Sequence, residues 1–240
     1  MTKIRRIHVP MLSPDDVIPH LGAPGHYRFP RSGWCIANHW FVANDLPDLV
    51  RLTLETIPLF GGAELIEGLI ERHVELGDGA TASQTDLLAI LGVGTELAIM
   101  AIEGKVDETF GRLVSEELSE ASERKTARVR RLAALFGLSV ADAGPLRYQL
   151  FHRTASAIFE AKRYRAKSAV MMVHSFDAND CGLSDFKQFA AAIGLANAAP
   201  TWTVGPVDVA GIALYLGWTA DRPSNEGYTI VDRRKSDCLE

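Results

Sequence analysis

The sharpest pattern of apolar and polar positions lies mid-chain. Thr85-Asp86-Leu87-Leu88-Ala89-Ile90-Leu91 and Glu96-Leu97-Ala98-Ile99-Met100-Ala101-Ile102-Glu103 are two short apolar runs. Between them Gly92-Val93-Gly94-Thr95 is a hairpin signal. Both runs are apolar on both faces, as central strands covered by helices on each side should be. Before this hairpin, the first 44 residues read as an irregular arm packed on the core. Pro10, Pro14, Pro19, Pro24 and Pro30 punctuate it, Trp34, Trp40 and Phe41 anchor it, and residues 13–18 suit a short helix. A helix is expected over 45–57, capped by Asn44 or Asp45 and stopped by Pro58, with Leu46, Leu49, Val50, Thr53 and Ile57 on one face. A second short helix over 62–69 should lead into 72–76 and the turn Gly77-Asp78-Gly79.

After the hairpin the helical period returns. Residues 122–136 place Val129, Leu132, Ala133 and Phe136 on one side, and Pro145 opens a longer helix to about residue 163 with Tyr148, Phe151, Ala155 and Ile158 inward. Residues 169–176 read as a buried strand, 184–193 as a helix and 212–218 as a last strand. This order predicts one α/β layer structure over 45–232, followed by a polar tail, 233–240.

Composition changes this picture little. The chain has 240 residues, 47% hydrophobic and 23% charged, as ordinary globular domains do. Cys35, Cys181 and Cys238 are scattered and form no C-x-x-C pair, which fits a reducing, cytoplasmic setting. The basic Met1–Arg6 stretch lacks the apolar segment of a signal peptide, and no apolar run is long enough to span a bilayer, so no membrane role is expected. A formal net charge of −5 excludes a broad nucleic-acid-coating surface, but not a nuclease with a local basic strip.

Candidate chemistry sits at the strand ends. Glu103 and Lys105 are two apart and share a face. With Val93 and Gly94 as a two-residue turn, Gly92 pairs with Thr95 and Asp86 with Ala101. Asp86 and Glu103 become diagonal neighbours roughly 7–8 Å apart. A three-residue turn would send them to opposite faces. Two carboxylates, the Gly104 carbonyl and waters could hold Mg²⁺, and Lys105 could orient a hydroxide or offset charge on a phosphate. On spacing alone, the same residues also read as a structural Glu103–Lys105 ion pair.

Ser83-Gln84-Thr85-Asp86 followed by Glu103-Gly104-Lys105 with Val106-Asp107 resembles the PD-(D/E)XK, or restriction endonuclease-like, nuclease superfamily. With Leu146–Arg153 and Val173–Phe176 added, the chain resembles an uncharacterised bacterial branch of it over roughly residues 60–220. The resemblance implies a mixed central β-sheet flanked by helices, Asp86 and Glu103 as metal ligands, Lys105 as catalytic lysine and Mg²⁺ or Mn²⁺ as cofactor. It also implies a glutamate from the preceding helix, Glu64 or, second, Glu67. Thr85 stands where the name-giving proline would be, and Gly104 replaces a larger middle residue. Gln149 is followed four later by Arg153 rather than by the tyrosine of exonuclease-like relatives.

On the helix from Pro145, the residues Gln149, His152, Arg153, Ser156 and Glu160 form a stripe opposite the aromatic one. Gln149 could contact a metal-bound water, while Arg147, His152, Arg153 and the strand-end His174 are candidate substrate contacts. The stripe reads equally as a solvated face. Arg124, Lys125, Arg128 and Arg131 could track a nucleic-acid backbone or form a charged surface. Trp202 and Trp218 could stack on bases or pack in the core, and His73 reads as structural. The expected function is metal-dependent phosphodiester hydrolysis of nucleic acid, DNA foremost, by a monomer or homodimer. The alternatives are a nuclease fold that has lost activity and binds or regulates, and a small-molecule enzyme using Lys105 as nucleophile or base.

Overall fold

The structure is a computed structural model, and it describes residues 8–22, 24–79, 81–177 and 179–221. Cys238 and the tail expected over 233–240 lie outside the described residues. Six strands, β1 (Glu64–Val74), β2 (Ser83–Val93), β3 (Glu96–Lys105), β4 (Ser168–Ser175), β5 (Trp202–Val209) and β6 (Ile212–Ala220), form one sheet in the order β1-β2-β3-β4-β6-β5. β1 to β3 run antiparallel, β3, β4 and β6 parallel, and β5 antiparallel to β6. The protein is therefore mixed α/β, with helices on both faces of a mixed sheet.

One face is covered by α1 (Ser32–Ala43) and α2 (Asp48–Glu55). There Cys35, Ile36, Trp40, Val50 and Leu54 pack against Leu87, Ala89, Met100, Val170 and Met172. The other face is covered by α3 (Val114–Ser119), α4 (Glu123–Leu135), α5 (Val140–Ala143), α6 (Tyr148–Tyr164) and α7 (Leu183–Ala192). Val129, Leu132, Phe151, Ile158 and Phe189 meet Leu88, Ile99, Met171 and Val173 there. The alternation of β2, β3 and β4 residues between these two cores is the two-residue period of a strand. It explains why these strands read as continuous apolar runs. No helix among the described residues is long and apolar enough to cross a membrane.

Four expectations change. Of the helix expected over 62–69, residues 64–69 are strand and none is helical. Gly68 weakens a helix there, and Leu65, Leu69 and Ile70 each find a partner on β2. The arm is not irregular throughout. Ser32–Ala43 is a helix buried against the sheet, and Asn44, expected to cap the next helix, instead ends this one in the left-handed region (φ 48°). The helix expected from Pro145 opens at Tyr148, because Arg147 is drawn into a β-bridge with Leu113. β5 is an added edge strand whose Pro206 falls within an irregularity between Val204 and Val207, where a proline is tolerated.

Candidate active site

The hairpin turn decides where the charged residues go. Val93 pairs with Glu96, so Gly94-Thr95 is the two-residue turn. Gly94 at φ 59° occupies the position where a type II′ turn places glycine. The register is two residues from the expected one, so every side chain keeps its face. Leu87 pairs with Ile102, and one rung further Asp86 stands directly opposite Glu103 rather than diagonal to it. Asp86, Glu103 and Lys105 all emerge on the face covered by α6.

Glu103 and Lys105 are nearly fully buried, at 3% exposure each. Lys105 Nζ lies 3.1 Å from Glu103 Oε1, donates to Gln149 Oε1 at 3.1 Å and Thr109 O at 3.4 Å, and sits over the Phe110 ring. Gln149 Nε2 donates to Glu103 Oε1 at 2.5 Å. Arg153, one turn along α6, donates through Nε to Glu103 Oε2 and through a terminal nitrogen to Ser83 Oγ at 3.1 Å. The stripe Gln149, Arg153, Glu160 therefore faces the sheet rather than solvent. Its far end, Glu160, forms a buried ion pair with Arg72 of β1.

The backbone N–H of Gly104 donates to Asp86 Oδ2 at 2.8 Å. The glycine itself is a packing requirement. A Cβ at position 104 would lie 2.7 Å from Cγ1 of Ile36 and 3.3 Å from Cβ of Ser32. Helix α1 presses on the back of β3 at this point, which accounts for the small middle residue of Glu103-Gly104-Lys105.

A third carboxylate joins the site, and the sequence reading did not select it. Glu71 of β1 faces Asp86 across the sheet, because Ile70 pairs with Leu87 and Arg72 with Thr85. Its backbone is left-handed (φ 49°), and Gln84 Nε2 donates to its Oε2 at 2.5 Å. β1 also carries Glu64, Glu67 and Arg72, so no local signal singles out Glu71, which lies between the helix expected over 62–69 and the segment 72–76. Glu64 and Glu67 are exposed on the far half of β1, Glu64 opposite Gly92 and roughly 20 Å from Glu71 along the strand. They take no part in the site.

The remaining candidates separate. His152 accompanies Ser83 (Nδ1 to Oγ, 3.0 Å) and lines the cleft. Arg147 does not. It holds Asp185 at 3.0 Å and the Gly111 carbonyl at 2.7 Å, tying α7 and the loop after β3 to the start of α6. His174 is fully buried on the opposite face, accepting from Trp40 Nε1 at 3.3 Å, 3.1 Å from Asp221 Oδ2 and stacked on Phe176. Arg128 and Arg131 of the basic strip clasp Asp78 and the carbonyls of Thr81 and Leu76, and Lys125 pairs with Glu117. Trp218 is core, and Trp202 is half-exposed at the sheet edge.

Glu71, Asp86, Glu103, Lys105, Gln149 and Arg153 line a cleft of about 880 Å³. Its outer wall is built by the arm, with His26, Arg28 and Arg31, and by the loop after β3, with Glu108 and Arg112. Burial pushes Asp86 well above the usual carboxylate range, with the Glu103 charge adding to it. Burial likewise lifts Glu71 to about 7. Burial would raise Glu103 too, but Arg153 and Lys105 outweigh it and hold that carboxyl below its ordinary value. His152 is held well below its ordinary value by burial and by the surrounding cations, Arg153 first.

A mixed α/β protein with a charged, mostly buried cluster at the base of a surface cleft is the class these features define. The chain belongs to the DUF6946 family, a domain of unknown function, whose profile matches residues 10–223. No curated protein and no solved structure matches it.

Proposed function

We propose that the protein is a metal-dependent phosphodiesterase that hydrolyses nucleic acid, DNA foremost, on the restriction endonuclease-like pattern. The observation that carries the reading is the convergence of Asp86, Glu103, Lys105 and Gln149 at the base of one cleft, from two adjacent strands and the helix over them.

The donor set suits a hard divalent cation. Among the described residues, no three His, Cys, Asp or Glu side chains form a ready-made cage. The carboxylates with the Gly104 carbonyl would supply the protein's oxygens, and water the rest, which is how Mg²⁺ or Mn²⁺ is commonly held. Fully ionised, Glu71, Asp86 and Glu103 would set three negative charges against the two positive charges of Lys105 and Arg153, and one divalent cation would relieve that excess and favour release of the protons that burial holds on Asp86 and Glu71. Bound there, the cation supplies polarisation of the phosphate and a lowered pKa for its water.

The chain's own groups have separate tasks. Lys105, held by Glu103, Gln149 and Thr109, would set a fixed positive charge at the wall of the cleft and offset negative charge developing on a bound phosphate. His26, Arg28 and Arg31 on the outer wall provide contacts for flanking phosphates. His152, kept neutral, can accept a hydrogen bond without adding charge.

The test is cleavage of labelled single- and double-stranded DNA and RNA with Mg²⁺ or Mn²⁺ and with chelator. Cation-dependent cleavage lost in both Asp86→Asn and Lys105→Ala is expected. Nucleic-acid binding without cleavage would favour a binding module, and turnover that survives the chelator would refute the metal reading.

A further inference from the structure

Glu103 has little acceptor capacity to spare. Its Oε1 accepts from Gln149 Nε2 at 2.5 Å and lies 3.1 Å from Lys105 Nζ, and its Oε2 accepts from Arg153 Nε. A carboxylate offers about four lone-pair positions, so roughly one is left. Two cations in direct contact already neutralise its charge. Asp86 and Glu71 differ. Among the described residues no ion pair reaches either of them. Asp86 accepts the Gly104 N–H through Oδ2, and Glu71 accepts the Gln84 amide through Oε2. Each keeps its second oxygen without a protein donor among the described residues.

The backbone of β1 is shaped to bring Glu71 in. Leu69 and Val74 are five apart and should face opposite sides of a regular strand, yet both belong to the core under α6. The facing changes once between them, at Glu71, the residue with φ 49°. A non-glycine residue in that region is strained and persists where surrounding structure over-determines it. The kink leaves Glu71 in the cleft across from Asp86 and frees Arg72 to reach Glu160.

We infer that the divalent cation is carried between Glu71 and Asp86, and that Glu103 is a positioning residue that holds Lys105 and Arg153 rather than the principal metal ligand. The inference rests on the metal-dependent reading above and assigns the ligands within it.

The test is Mn²⁺ binding to the full chain, by calorimetry and by the electron paramagnetic resonance signal of the ion, without substrate. Two charge-matched double variants are compared, Glu71→Gln with Arg153→Met, and Glu103→Gln with Arg153→Met. Each replaces one carboxyl group and one guanidinium by neutral groups, so the change in formal charge is the same. The first should lose Mn²⁺ affinity by about tenfold or more, the scale of losing a group that holds or orients a metal, while the second stays close to wild type. Glu71→Gly adds a variant that removes the carboxylate while relieving the backbone, so its loss of affinity would not reflect misfolding. Glu64→Gln, at the far end of β1, should bind as wild type does. The opposite ranking of the two double variants would overturn the assignment and leave the metal-dependent reading standing. A wild-type chain that binds no Mn²⁺ would overturn both.

Discussion

Gly104→Ala is the most direct test of how the cleft is built. The added methyl would sit 2.7 Å from Ile36 Cγ1 and 3.3 Å from both Ile36 Cδ1 and Ser32 Cβ. Ile36 is 1% exposed and packs with Cys35 and Trp40 against the sheet, so it has little room to retreat. Overpacking of this kind costs about 1–3 kcal/mol, partly offset by the roughly 0.4–1 kcal/mol that alanine gains over glycine through the unfolded chain. The net expectation is a loss of about 1–2 kcal/mol, or roughly 2–8 °C in Tm for a chain of this size.

Urea unfolding of four proteins, wild type, Gly104→Ala, Ile36→Ala and the double variant, measures it. Ile36→Ala alone should cost about 2–5 kcal/mol through the cavity it leaves. In the double variant the new methyl projects into that cavity, so the combined cost should fall short of the sum by at least about 1 kcal/mol. Gly104 also donates its N–H to Asp86, so Gly104→Ala should weaken Mn²⁺ binding, with recovery in the double variant. A neutral or stabilising Gly104→Ala, or additivity within about 0.5 kcal/mol, would refute this account of the glycine.

Two further expectations concern the same cluster and the opposite face. Glu71 is raised by burial to about 7 from an ordinary 4.5, so the folded state holds a proton there that the unfolded chain has released. Stability in the presence of chelator should therefore fall as pH rises from about 4.5 to 7, with at most about 1.4 kcal/mol per unit from Glu71 and a further contribution of the same sign from Asp86. Glu71→Gln should lessen that slope in thermal melts across the interval, and an unchanged slope would show that the burial of Glu71 does not contribute to it. His174→Ala removes the side chain that joins Trp40 and Asp221 on the face away from the cleft. It should cost about 2–3 kcal/mol of stability through buried groups left unpaired, with cleavage per folded molecule unchanged; a selective loss of cleavage would return His174 to the active site.

The sequence by itself determined the hairpin of β2 and β3, the amphipathic helices α4, α6 and α7, and the strands β4 and β6. In each, the spacing of apolar residues is a local property that survives folding. It also determined that Asp86, Glu103 and Lys105 share a face, because a two-residue slip in the turn preserves every side chain's side. Tertiary structure alone decided the rest. Leu65, Ile66 and Leu69 are spaced as on a helix, without the alternation of a strand, and only pairing with β2 makes residues 64–69 a strand, which carries Glu64 out of the site and brings Glu71 in. Helix α1 is apolar nearly all round and shows its direction only when pressed on the sheet, where it explains Gly104. The stripe from Gln149 to Glu160 is polar in the sequence and would face water on an isolated helix. It faces inward because Glu103 and Arg72 emerge from the sheet to meet it. Side chains that answer charges on distant strands carry no local signal of their partners.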